Sequence, residues 1–383
     1  MKSLTHNYTS RRSFLKAAGA ACALSACPLP GLLGGARAIE LLPEAEIYPY
    51  PAQHYEKLPD RKVKCTLCPK ECQVDDMERG YCGVRENRGG DYFTLVYGRP
   101  CTMHVDPVEK KPLFHFLPGS EIFSIATVGC NVNCTFCQNW QISQIRPEQE
   151  RSYDAPPKTI VELAKSYNTP AIAHTYTEPV IFYEYVKAVG AEAHEKGTKN
   201  VIISNGYINE KPIKELLPYL DAVKIDLKAF TEKFYRDLVA GELKPVLETL
   251  VHLTKAGMWT EIVYLVIPTH NDDENEIRDM CRWIGRELGL DVPLHFTRFH
   301  PQYMLKTLPP TPIRTLERAR EIALAEGLQY VYIGNVPGNP AEHTYCPSCG
   351  KVLIRRTGYR IQIENFDRGS CTNCGAVIPG VWT

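Results

Sequence analysis

Eleven of the fifteen cysteines in this 383-residue chain fall into three short groups, and each group obliges its stretch of backbone to wrap around a shared point. Cys65, Cys68, Cys72 and Cys82 form the first, Cys130, Cys134 and Cys137 the second, and Cys346, Cys349, Cys371 and Cys374 the third. Disulfides favour small scaffolds with dispersed partners, whereas short steps between cysteines bring several sulfurs onto one metal centre. The groups therefore read as metal sites. Of the other four cysteines, Cys22 and Cys27 lie near the amino terminus and Cys101 reads as a buried thiol. Cys281 falls in phase with Ile277, Met280, Ile284 and Leu288 on one helix face, which gives it a core role.

The third group consists of two Cys-x2-Cys knuckles, each followed by glycine (Gly350 and Gly375) and joined by strand-like sequence. Four thiolates in this pattern predict a closed tetrahedral site, a structural zinc ribbon that folds a tail with little core of its own. The first group, Cys65-x2-Cys68-x3-Cys72-x9-Cys82, also supplies four sulfurs. A structural zinc and an auxiliary 4Fe–4S cluster both suit it; spacing alone does not separate them, and the structural metal is the leading expectation. The second group stops at three, with no fourth cysteine nearby. A 4Fe–4S cluster held there would keep one iron open to an outside ligand, which makes the triplet the expected chemical centre.

Composition narrows the rest. At 44% hydrophobic and 23% charged the chain is ordinary globular sequence, neither collagen-like, disordered nor multi-span membrane. Basic and acidic residues balance at 44 each, so no global charge favours nucleic acid. The balance hides an asymmetry: residues 1–38 carry five basic groups and no acid, leaving 39 basic against 44 acidic in the body. Ser10-Arg11-Arg12-Ser13-Phe14-Leu15-Lys16, an Ala/Gly-rich run and Ala36-Arg37-Ala38 predict a twin-arginine signal peptide over 1–38. Gly19, Pro28, Pro30 and Gly31 leave the run too weakly apolar to span a bilayer. Leu24-Ser25-Ala26-Cys27 also resembles a lipobox, which would make Cys27 a lipid anchor.

From Ile122 onward, apolar strand patterns alternate with amphipathic helix patterns. Strands are predicted at 122–128, 171–176, 201–204, 222–227, 261–267, 293–299 and 330–333. Such alternation implies an α/β fold with a parallel sheet, here a full or partial barrel over 119–336, between a Cys-rich extension (39–118) and the ribbon tail (337–383). Polar residues gather where strands end: His174 to Glu178, Ser204-Asn205, Asp226-Leu227-Lys228, Arg298-Phe299-His300 and Gly334-Asn335. One such residue is a turn or a cap; five sets at one rim point to a site.

Cys-x3-Cys-x2-Cys with Phe136 before the last cysteine resembles the radical S-adenosylmethionine superfamily. Cys65-Thr66-Leu67-Cys68-Pro69, Asp106-Pro107-Val108-Glu109-Lys110-Lys111-Pro112, Tyr176-Thr177-Glu178-Pro179 and Lys224-Ile225-Asp226-Leu227-Lys228 extend the resemblance to relatives of pyruvate formate-lyase activating enzymes, and more closely to the AmmeMemoRadiSam-system branch. The resemblance implies that Cys130, Cys134 and Cys137 hold a 4Fe–4S cluster whose open iron chelates S-adenosylmethionine and cleaves it reductively to a 5'-deoxyadenosyl radical. It implies Thr177 and Glu178 at the cosubstrate's amino group, Asn205 at its ribose or methionyl part, Asp226 and Lys228 near its carboxylate, and His300 as a further contact. It also implies a flavodoxin- or ferredoxin-type electron donor, a protein or peptide substrate and partners from the AmmeMemoRadiSam system. The extra cysteines depart from related activating enzymes, whose additional clusters follow the radical motif, so the resemblance assigns the first group no redox role. A glycyl-radical-enzyme activase is the nearest alternative, and an exported Fe–S or zinc electron-transfer protein is the non-enzymatic one. Localisation is divided: the signal implies export, while cosubstrate supply implies the cytoplasm.

Overall fold

The computed structural model describes Ile39 and residues 42–383. The expected signal peptide, Cys22 and the lipid-anchor position Cys27 lie outside the described residues. No helix among the described residues is long and apolar enough to cross a membrane.

Buried β-branched runs form a central eight-stranded sheet whose order follows the chain. Its strands are β1 (Thr102–Pro107), β2 (Glu121–Ala126), β3 (Ala171–His174), β4 (Lys199–Ser204), β5 (Ala222–Asp226), β6 (Thr260–Val266), β7 (Leu294–Arg298) and β8 (Val331–Gly334). Strands β2 to β8 are parallel, and their positions agree with all seven predicted runs. The first strand, β1, pairs antiparallel with β2 from Thr102↔Ala126 to Pro107↔Glu121. That strand falls within the predicted N-terminal extension, so the sheet starts before residue 119. The edge strands β1 and β8 share no ladder, so the sheet's hydrogen bonding is open and not that of a closed barrel.

Each parallel crossover carries one main helix: α1 (Pro157–Ser166), α2 (Tyr183–Glu195), α3 (Glu210–Leu216), α4 (Leu243–Lys255), α5 (Glu274–Glu287) and α6 (Ile313–Ala325), with short extra turns at Trp140–Ser143 and Glu232–Phe234. Local sequence explains the best formed of them. Asp273 caps α5 by accepting from the N–H groups of Asn275 and Glu276, at 2.9 and 3.0 Å, and Ile277, Met280, Cys281 and Ile284 make its buried face. Cys281 is a core thiol, as its phase predicts.

The other face of the sheet is divided along the strands. Towards the strand starts, Val108, Leu113, Phe116 and Leu117, from the segment after β1, pack on Ile122, Ala171, Val201 and Ala222. Towards the strand ends that face is open, and the neighbouring pairs Ile203↔Lys224, Asp226↔Val263 and Leu265↔Thr297 line a cavity.

Two small modules flank the sheet. Residues 50–94 form two three-stranded antiparallel sheets around the first cysteine group. Residues 344–371 form a three-stranded antiparallel sheet and a two-stranded one, and Leu353, Ile354, Phe366 and Ile378 share a core with Phe114, Tyr330 and Tyr332. The ribbon is thus packed onto the β8 side of the sheet. Its buried Arg356 donates to the carbonyl of Phe114 at 2.8 Å and lies over that ring.

Candidate active site

The cysteine triplet occupies the loop leaving β2, where Gly129 has φ +98° and a Cβ would stand 2.7 Å from Val84 and 2.9 Å from the Cys82 carbonyl oxygen. Only glycine suits both demands. Beyond it the loop is pinned by backbone bonds: Asn133 N–H donates to Val239 at 2.9 Å and Thr135 N–H to Leu238 at 2.9 Å. Phe136 is buried and meets Phe234 at 5.7 Å between ring centres, which explains the aromatic before the last cysteine as a packing anchor. Cys130, Cys134 and Cys137 all line the cavity, which measures ≈ 480 Å³ and falls in the range of small-molecule sites. A larger groove, ≈ 970 Å³, runs beside His54, Lys211 and Glu215 and contains none of the predicted site residues.

Thr177, Glu178, Asn205, Asp226 and Lys228 line the same cavity, so the fold gathers five of the six predicted cosubstrate residues with the triplet. Glu178 is buried, and its carboxylate accepts from Ser204 Oγ at 2.7 Å, from the Val180 N–H at 3.0 Å and from the Asn205 N–H at 2.8 Å. Burial pushes its carboxyl up to about 7 against these three donors. A carboxylate offers about four acceptor positions, so roughly one stays open for a cation. Thr177 Oγ1 donates to the Thr127 carbonyl at 2.7 Å, fixing the turn before Glu178.

Strand alternation brings Lys224, Asp226 and Lys228 to one face. Asp226 bonds Lys224 closely and Lys228 at 3.5 Å. Burial raises the Asp226 carboxyl, but the two ammonium groups outweigh it and hold the acid below its ordinary range. Lys224 was not among the predicted site residues, although its period-two phase with Asp226 and Lys228 was readable. Lys228 makes the longer contact and lies 5.9 Å from the Phe136 ring centre, beside the triplet.

Asn205 turns its amide inward: Nδ2 donates to Asn131 Oδ1 at 2.9 Å and Oδ1 accepts from the Tyr207 N–H at 2.8 Å. Asn131, inside the cysteine loop, donates in turn to the Tyr207 carbonyl at 2.7 Å. These bonds tie the loop to the end of β4. His300 is not brought to the site: it is exposed and absent from the cavity wall. The alternation that turns Thr297 inward places His300 on the opposite phase.

Sequence reasoning missed a second group along the cavity wall. Asp106, at the end of β1, binds Lys110 at 2.7 Å, Lys111 at 2.6 Å and the Tyr176 hydroxyl, and both lysines and Tyr176 line the cavity. The Asp106 to Pro112 motif carried this information, but its antiparallel placement beside β2 was not legible.

In the third cysteine group the four sulfurs all lie within 4.8 Å of one another. Cys346 and Cys374 are 3.6 Å apart and Cys349 and Cys371 3.8 Å, matching the ~3.8 Å edge of a tetrahedron with metal–sulfur bonds near 2.3 Å. The triplet does not meet that 4.8 Å spacing among the described residues, as suits sulfurs that each take a different iron of one cluster.

A family model described as the radical SAM superfamily matches residues 124–281, the stretch from β2 into α5 that carries the triplet, Glu178, Asp226 and Lys228. The chain belongs to the radical SAM superfamily and is an enzyme. Its sequence is 46% identical over 329 residues to the uncharacterized protein MJ0808 of Methanocaldococcus jannaschii, covering 85% of this chain and 98% of the relative. A second protein of that organism, MJ0674, is 25% identical over 288 residues, 70% of this chain and 76% of its own. The pyruvate formate-lyase 1-activating enzyme of Escherichia coli K12 is 23% identical over 208 residues, 51% of this chain and 85% of the enzyme. Homology to activating enzymes therefore accompanies membership of the superfamily.

Proposed function

We propose that the cavity binds S-adenosylmethionine against a 4Fe–4S cluster held by Cys130, Cys134 and Cys137, and that the chain uses the resulting 5'-deoxyadenosyl radical to take a hydrogen atom from a protein or peptide. The observation that carries this reading is the shared wall: three thiols without a fourth stand in one ≈ 480 Å³ cavity with a buried acid and a Lys-Asp-Lys row. The cluster, when bound, supplies an electron and one open coordination position. The protein's own groups hold the cosubstrate. Glu178 has one acceptor position left for an ammonium, and Lys228, less committed to Asp226 than Lys224 is, retains N–H groups for a carboxylate. Both contacts are charge-assisted and stronger than neutral hydrogen bonds, and two of them fix the orientation of the sulfonium between. Asn205 acts mainly on the loop, through Asn131, with its ribose contact a secondary role.

Anaerobically reconstituted protein with dithionite should release 5'-deoxyadenosine from S-adenosylmethionine; no product from fully loaded protein would reject the reading. Glu178→Gln should weaken S-adenosylmethionine binding by about 1.5–3 kcal/mol without lowering iron content, measured by equilibrium dialysis.

Activating enzymes among the relatives favour a protein substrate and a flavodoxin- or ferredoxin-type donor. Glycyl-radical activation is the second reading, supported by the likeness to the pyruvate formate-lyase 1-activating enzyme; an electron-spin signal on a co-incubated partner enzyme separates it from modification of another peptide. Membership of the AmmeMemoRadiSam branch rests on the motifs quoted above, and the superfamily likeness to enzymes displaces the non-enzymatic alternative. The twin-arginine leader proposes export of a folded, loaded protein, opposed by the cytoplasmic supply of cosubstrate. Fractionation of cells carrying Arg11→Lys/Arg12→Lys beside wild type decides between them.

A further inference from the structure

We infer that Cys65, Cys68, Cys72 and Cys82 hold a second iron–sulfur cluster, of the 4Fe–4S type, directly behind the cysteine triplet. The four side chains line one small cavity together with Arg85, Tyr92, Asn131 and Ile181. No three of these sulfurs come within 4.8 Å of one another, whereas the ribbon's four do. One ion with bonds near 2.3 Å cannot touch sulfurs spread more widely than that tetrahedron allows; a cubane offers each sulfur its own iron across the width of the cluster.

The cavity wall also asks for an acceptor. Arg85 Nε and the Tyr92 hydroxyl are both buried donors without a hydrogen-bond partner, and each residue is 1% exposed. The other guanidinium nitrogens are occupied: Nη1 and Nη2 donate to Glu184 at 2.9 and 2.8 Å, and Nη2 to the Gln53 carbonyl at 2.8 Å. The Tyr92 hydroxyl leans over Gly80, 2.8 Å from where a Cβ would stand, and that same point is 3.8 Å from Cys72 Sγ. Leaving a buried donor unpaired costs about 1–3 kcal/mol, so two beside one cavity imply an occupant that accepts. Bridging sulfides accept hydrogen bonds and a zinc ion does not. One of the cysteine sulfurs has a donor already, the Tyr81 N–H at 3.4 Å from Cys72 Sγ.

The two cysteine groups share a partition. Gly129 abuts the Cys82 carbonyl, and Asn131, one residue past Cys130, belongs to the walls of the second cavity. A cluster here therefore sits one layer of backbone from the triplet.

The test is iron, acid-labile sulfide and zinc analysis of anaerobic full-length protein with electron-spin spectra after dithionite reduction. Wild type should hold about eight irons and eight sulfides. The Cys130→Ala/Cys134→Ala/Cys137→Ala variant should keep about four of each, with a signal that S-adenosylmethionine does not change. Cys65→Ala/Cys68→Ala should lose that signal and keep the one that responds. An iron-free triplet variant carrying two zincs would overturn the inference. It would leave cosubstrate cleavage by wild type untouched, while failure of cleavage with the unresponsive cluster present would reject only the proposed function. Tyr92→Phe guards against misfolded cysteine variants: iron content should match wild type, and the unresponsive cluster's reduction potential should move to a more negative value. An unmoved potential would refute a sulfide partner for the hydroxyl.

Discussion

The two four-cysteine groups contain the same donors and build opposite kinds of site. In the ribbon, paired Cys-x2-Cys knuckles close through left-handed Gly350 and Gly375, whose N–H groups donate to Cys346 and Cys371 at 2.9 and 2.8 Å. The sulfurs end 3.6 and 3.8 Å apart, around a point too small for anything larger than one ion. The amino-terminal group spreads its sulfurs around a cavity with two unpaired donors. Ligand count therefore says little about what a thiolate set holds; the arrangement of the backbone between the ligands decides it. Location follows the same division. The ribbon stands on the β8 side of the sheet, although Tyr359 at its hairpin turn reaches the cavity wall, whereas the amino-terminal group backs onto the loop of the cysteine triplet.

That contrast can be broken most forcefully at the ribbon. Binding of a structural zinc is worth about 10–16 kcal/mol in isolated fingers, more than a small hairpin module supplies by itself. Cys349→Ala/Cys371→Ala should abolish zinc binding, expose the tail beyond residue 343 to trypsin and leave iron unchanged. A tail that stays resistant would show that packing of Leu353, Ile354 and Arg356 suffices. At the amino-terminal group the buried Arg85–Glu184 pair, with α2 supplying the acid, takes the structural role. Glu184→Ala strands a buried guanidinium and should cost about 3–5 kcal/mol in urea unfolding, with no change in zinc.

A smaller effect comes from pH. Burial pushes the imidazole of His115 down to about 4, and burial does the same to His174. His115 touches the ribbon side directly, bonding the Pro379 carbonyl and the Tyr332 hydroxyl at 2.7 and 2.6 Å. Between pH 6.5 and 4 the unfolded chain binds protons that the folded one refuses. Stability is therefore complete above about 6.5 and is lost as pH falls, by about 1.4 kcal/mol per unit for each histidine. At pH 5 each of these two contributes a loss of about 2 kcal/mol, and His115→Gln should remove its own share in urea titrations while His174 and the other histidines that burial lowers, His54, His295 and His343, keep theirs. An unaltered dependence would place the acid sensitivity elsewhere, for instance at the ribbon's thiolates.

Much of the fold was legible because parallel strands buried on both faces are continuous apolar runs, and each run from Ile122 to Ile333 became a strand. The antiparallel β1 was not, since Thr102, His104 and Asp106 break the continuous apolar run that marks the other strands; Thr102 and His104 bond each other, and Asp106 turns to Lys110, Lys111 and Tyr176. Glu178, Asp226 and Lys228 stood among the polar residues at strand ends, and the family resemblance gave them their roles; Lys224, inside β5, lies outside the Asp-x-Lys pair that the resemblance supplied. His300 shows the converse, a polar residue at the right end of the right strand and on the wrong phase.

By itself the sequence determined which atoms were available: three groups of thiols, one of them a ligand short, and an alternation that commits the chain to a parallel sheet. These are local properties, set by spacing and by the period of apolar residues. Tertiary structure decided how far apart the sulfurs stand, which buried donors go without partners, and that the segment after β1 fills half of one sheet face and leaves the other half open as a cavity. Those depend on residues distant in the chain meeting at fixed distances, and no local pattern encodes a distance.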